Sequence, residues 1–229
     1  MPKAVVCTGR VMEFHGDREV TDVTVADGVA EIGEEAFFRC KGLTNLSFLK
    51  DSAITTVGLQ AFAGSGIALL QWMEGVRRIG DFAFAHCKDL RTIEGLGCEE
   101  MGDYCFWCCT SLQSMKGWPA SMTVIPARCF QHCTSMTTVD CDLSHVSSIG
   151  YDAFHCCTSL LPAHLAEVNA DPAAVLAFLK RKSILERVAE RCAFLCSLKH
   201  AHSDFYNGSG DPCGATRRII MEFAGLFPA

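Results

Sequence analysis

The sequence predicts an α/β solenoid: six repeats of about 23 residues wound into one coil, followed by an α-helical C-terminal cap or extension. Three observations carry this expectation. One twelve-residue pattern recurs six times, each occurrence is followed by a short apolar/polar alternation, and the periodicity turns helical near the end of the chain.

The strings are IGEEAFFRCKGL from Ile32, VGLQAFAGSGI from Val57, IGDFAFAHCKDL from Ile79, MGDYCFWCCTSL from Met101, IPARCFQHCTSM from Ile125 and IGYDAFHCCTSL from Ile149. Their starts are 25, 22, 22, 24 and 24 residues apart. The pattern reads apolar, Gly, two variable residues, Ala or Cys, Phe, two variable residues, Cys, two variable residues, Leu. The segments that follow, such as LRTIEG (90–95), LQSMKG (112–117) and MTTVDC (136–141), alternate as a half-buried strand does.

Each slot has a physical reason. The Phe column (Phe37, Phe62, Phe84, Phe106, Phe130, Phe154) should point inward and stack from coil to coil. The slot before it holds only Ala or Cys, which implies a tight space. The Gly after the first apolar residue permits a turn that a side chain would obstruct. The second repeat carries Ser65 in place of Cys and is one residue short before Ile67, so an irregularity is expected there. One repeat cannot bury its apolar side alone, whereas stacked repeats share a continuous core.

The pattern resembles the BspA-like class of leucine-rich repeats over about residues 20–161. The resemblance implies a leucine-rich-repeat solenoid and, for function, a binding surface. On this reading residues 1–31 form an N-terminal cap, 32–161 the solenoid and 162–229 a helical segment.

In that last segment, Asp171-Pro172 is a helix start, with Val175, Leu176 and Leu179 on one side of a helix over 172–182. A second helix is expected over about 184–199. A final one follows the turn-rich loop FYNGSGDPCG (205–214). These helices would cover the solenoid's end or dock on a partner.

Composition narrows the function. Of 229 residues, 49% are hydrophobic and 20% charged, which argues against disorder. The net charge of −6 disfavours a phosphate-backbone binder, so no direct nucleic-acid contact is expected. No apolar run approaches the roughly 20 residues that a membrane helix needs. The N-terminal stretch lacks a secretory signal, and 15 cysteines is an odd count, so free thiols in an intracellular, cytoplasmic setting are expected.

Candidate chemistry is sparse. Cys105-Phe-Trp-Cys108 has redox spacing, but the repeat already explains both positions. The column His86, Cys108, His132, Cys156 has metal-ligand character. Coils about 5 Å apart cannot bring all four onto one ion, though two could meet a metal with help from elsewhere. Gly208-Ser-Gly210 with Arg217 and Arg218 is a poor match to a phosphate loop.

No cofactor, catalytic residue or small-molecule substrate is expected. The leading expectation is a non-enzymatic scaffold that binds other proteins. Contacts are expected at the strand-side residues Arg91, Thr92, Gln113, Ser114, Thr137 and Thr138, and at Phe205 and Tyr206. The alternatives are a fixed subunit of a large ribonucleoprotein or cytoskeletal assembly and a cysteine-based redox or metal protein.

Overall fold

The computed structural model describes residues 3–7, 14–48, 54–70, 75–166 and 170–182. The chain divides into two units, 1–179 and 180–229, and the second lies almost wholly outside the described residues. So do the expected helices beyond residue 182, the glycine-rich loop, and Phe205 and Tyr206.

The first unit is a solenoid of parallel strands. Leu69–Leu70, Thr92–Glu94, Ser114–Lys116 and Thr138–Asp140 pair side by side in one sheet. Glu31–Ile32, Thr56–Val57, Arg78–Ile79 and Glu100–Met101 form a second. Val124–Ile125 and Ser148–Ile149 pair in the equivalent places of the last two repeats. Lys3–Cys7, Val20–Val25 and Asn45–Phe48 make a third sheet at the start. Every pairing is parallel because each coil returns to the same place in the same direction.

The strands are short because only one or two side chains per strand face the core. Ile93, Met115 and Val139 are buried and in register, flanked on each strand by outward residues. Between the strands, each consensus string forms a tight turn that bonds directly to the next coil. Phe37 N donates to Ala61 O (2.7 Å), Phe84 N to Cys105 O (2.9 Å) and Phe106 N to Cys129 O (2.9 Å).

Two residues per turn take left-handed φ. One set is Glu35, Gln60, Phe82, Tyr104, Arg128 and Asp152; the other is Arg39, Gly64, His86, Cys108, His132 and Cys156. Non-glycine residues pay about 1 kcal/mol for this conformation, and the inter-coil ladder offsets the cost.

The Phe column stacks throughout, with centroids 5.1 to 5.4 Å apart from Phe37 to Phe154. It extends one residue further than the repeats suggest, because Phe14 stacks on Phe37 at 5.5 Å and 2°. Phe14 and Gly16 donate to Ala36 and Phe38 as later turns do, so part of the expected N-terminal cap is itself coil-like.

The glycine column has a different cause from the one the sequence suggests. A Cβ on Gly102 would lie 2.4 Å from Asp81 N, and one on Gly150 2.4 Å from Ala127 N, while neither residue has left-handed φ. The demand is close approach of successive coils, not turn conformation.

After the solenoid come Ala163–Ala166, a single helical turn, and a helix over residues 172–182. Asp171 Oδ1 accepts from Ala173 N at 3.1 Å and caps it, and Val175, Leu176 and Leu179 are buried. Among the described residues no helix is long and apolar enough to cross a membrane.

Candidate functional site

The outward side of the longest strand ladder is a regular polar surface. Arg91, Gln113 and Thr137 are exposed, and Thr92, Ser114 and Thr138 half-buried. Thr92, Ser114 and Thr138 lie in register across three coils. Gln113 N donates to Arg91 O and Thr137 N to Gln113 O, both at 2.9 Å, which locks the row in step.

Sequence reasoning missed the second row of this surface. Glu94, Lys116 and Asp140 stand in register two residues further along the same strands. Lys116 Nζ meets Glu94 Oε1 at 2.9 Å. That bond first, then the charges of Glu94 and Asp140, hold its ammonium above the ordinary lysine value. The signal was available, since side chains two apart on a strand share a face.

A second feature is an open groove of about 680 Å³ lined by Arg18, Arg39, Lys41, His86 and Lys88 against the single acid Asp89. Its floor is Ala63–Gly66, where the degenerate second repeat puts small residues. The expected irregularity is therefore a loss of side-chain bulk, while Arg39 N still donates to Ala63 O and Gly64 N to Ala85 O, both at 2.7 Å. Burial first, then Lys88 and Arg39, hold His86 below the ordinary imidazole value.

Beside it runs an aromatic cluster. Phe82 stacks on Tyr104 at 4.4 Å, and Trp107 sits edge-on to Phe82, Tyr104 and His86. The Arg128 guanidinium donates to Tyr104 Oη, lies 4.9 Å from the Tyr151 ring centroid and pairs with Asp152 at 3.7 Å. Trp107 Nε1 is buried with no hydrogen-bond partner among the described residues.

The cysteines whose burial is described divide into two kinds. Cys105 is fully buried, and burial holds its thiol well above the ordinary value, the opposite of what a redox pair with Cys108 needs. Cys108 and Cys156 are half-buried on the turn edge. Of the column His86, Cys108, His132 and Cys156, only His132 and Cys156 fall in a convergent set, and their third member is His155. His155 belongs to the other variable slot, so reading one column at a time passed over it.

The fold defines the class: a parallel-strand repeat solenoid with a regular polar outer face. The chain belongs to the BspA type leucine rich repeat family, whose six-copy region matches residues 12–116 and 55–169. Among curated proteins the chain has no match.

Two solved structures show the similarity. A leucine-rich repeat protein from Bacteroides ovatus is 24% identical with a TM-score of 0.57, over 65% of this chain and 38% of that one. A leucine rich cell surface protein from Faecalibacterium prausnitzii is 28% identical with a TM-score of 0.51, over 67% of this chain and 41% of that one. The chain thus spans about two fifths of either protein. The family is defined by its repeat architecture, and the family match indicates no catalytic family.

Proposed function

We propose that this chain is a non-enzymatic scaffold that binds partner proteins through the outer face of the ladder 91–94, 113–116 and 137–140. The observation that carries the reading is the register: six polar or charged side chains repeat at strand spacing on three strands paired in parallel. Such a face leaves side chains free for recognition and offers the same geometry in successive coils.

The test is capture of partners from native cells by wild-type chain and by a variant with Arg91, Gln113, Ser114 and Thr137 changed to Ala. Specific partners should drop out with the variant while circular dichroism stays native. Undiminished capture overturns the surface assignment. Native size exclusion separates a scaffold from a fixed subunit of a larger assembly, which migrates only with its complex.

A second reading rests on the groove. Four cationic side chains on a chain of net charge −6 favour an acidic segment of a partner, held by screened electrostatics. Lys41→Glu with Lys88→Glu should abolish salt-sensitive binding there and leave ladder contacts intact. Equal binding by this variant overturns the reading.

We infer an intracellular setting, and the column thiols, which donate to carbonyls as reduced sulfur, support this reading. Surface biotinylation of intact cells tests it. Labelled chain would place it with the Faecalibacterium prausnitzii cell surface protein instead.

A further inference from the structure

We propose that His132, His155 and Cys156 form a binding site for a zinc-class divalent cation at the turn edge of the last two repeats. Their donor atoms all lie within 4.8 Å of one another. All three residues are half-buried, so an ion can enter and yet be partly shielded from water.

The backbone converges the donors. His132 and Cys156 hold the same left-handed position in adjacent coils, both at φ 62°, and so project from one edge in parallel. His132 N donates to His155 O at 2.8 Å, and Cys156 N to Ala166 O at 2.8 Å, which fixes both peptide planes. His155 is the residue before Cys156, and its Nε2 lies 3.3 Å from Cys156 Sγ.

The spacing fits a tetrahedral ion. Two imidazoles bound at about 2.0–2.1 Å and a tetrahedral angle have centroids about 5 Å apart. The His132 and His155 rings are 5.3 Å apart at 61°. Two donors on one such ion are separated by about 3.3–3.8 Å, which the His155–Cys156 pair already meets.

The outer sphere is present too. Gln131 Nε2 lies 2.9 Å from His155 Nδ1. A half-turn of the carboxamide presents Oε1 to Nδ1–H, which fixes the tautomer with the Nε2 lone pair toward the ion. On binding, the Cys156 thiol gives its proton to solvent and the thiolate ligates the metal. Three protein ligands leave the fourth position to water. A soft thiolate with two imidazoles selects zinc or its relatives over calcium and magnesium.

The experiment uses the untagged full chain, stripped with chelator and titrated with cobalt(II), then zinc. One equivalent of cobalt should give a thiolate-to-cobalt charge-transfer band and tetrahedral d–d bands, which zinc displaces. Cys156→Ser should abolish the charge-transfer band, and His155→Asn should lose the tetrahedral spectrum. Gln131→Leu should weaken binding by about 10–100-fold. Cys108→Ser should change nothing.

In the unmutated chain, zinc should slow alkylation of Cys156, located by peptide mass spectrometry, and leave Cys108 unaffected. This arm does not depend on any variant folding. Absence of a stoichiometric cobalt spectrum, a spectrum that survives Cys156→Ser, or no zinc protection at Cys156 overturns the proposal.

Discussion

The thiol of Cys109 donates to the carbonyl oxygen of Phe84, 3.1 Å away in the preceding coil. The same bond recurs from Cys87 to Phe62 (3.1 Å), Cys133 to Phe106 (3.3 Å) and Cys157 to Phe130 (3.0 Å). Phe84 O also accepts from Cys87 N in its own turn at 3.3 Å, so the thiol satisfies the remaining lone pair in a dry interior. This is why the column is cysteine and not merely small: it needs a compact apolar atom that still donates.

Cys109→Ala should therefore lower stability by about 1–2 kcal/mol, from the lost donor and a small cavity. Cys109→Ser should cost less, since a hydroxyl keeps the donor, and Ser65 already fills the equivalent slot while 3% exposed. Urea midpoints of the two variants decide it. If serine proves worse than alanine, volume and not the donor governs the slot.

The buried thiols also tie stability to alkaline pH. Burial pushes Cys87 and Cys157 up to about 12 and raises Cys109 and Cys133 well above the ordinary value. An unfolded thiol ionises near about 8.5. Below that pH both states hold the proton and stability is full. Above it the unfolded state loses protons that the native state keeps, so stability falls by about 1.4 kcal/mol per pH unit per thiol until the folded value is passed. Urea midpoints should be level between about pH 6 and 8 and fall steeply above about pH 9. A level profile through that range would remove the column as the cause.

Phe106 stacks on Phe84 and Phe130, whereas among the described residues Phe14 stacks on Phe37 alone. Phe106→Ala should cost about 3–5 kcal/mol and Phe106→Leu about 1–1.5 kcal/mol. Phe14→Ala should cost less than Phe106→Ala because fewer neighbours lose contact. Thermal and urea unfolding of the three variants would rank them.

Two glycines separate close packing from backbone conformation. Gly102→Ala puts a Cβ 2.4 Å from Asp81 N and should cost about 1–3 kcal/mol by forcing two coils apart. Gly117 has φ +81° with nothing within 4 Å of an added Cβ, so Gly117→Ala should cost about 1 kcal/mol from conformation alone. The difference should appear in the two urea midpoints. Equal costs would mean that the coils yield at Gly102.

Much of this was legible in the residues. The Phe, Ala/Cys, Cys and Leu columns are local demands repeated six times, and repetition separates a constraint from an accident. The outward placement of Thr92, Ser114 and Thr138 followed from strand alternation, and Glu94, Lys116 and Asp140 could have been found by carrying it two residues further. Other features had no such signal. Phe14 lies before the first full string, so nothing local marked it as the start of the stack. The basic groove gathers Arg18, Arg39, Lys41 and Lys88 from three coils, and charge counts along the chain show only an acidic solenoid.

The period, the inward columns and the family are set by the residues alone, because each rests on a slot whose size and polarity are alike from coil to coil. The tertiary structure decided what meets across coils: thiol to carbonyl, glycine to backbone, His132 to His155 and Cys156. Those partners are 21 to 27 residues apart in the chain or sit in different variable slots. Their distances depend on coil register and on left-handed turn residues, which set the direction of a side chain without changing its letter.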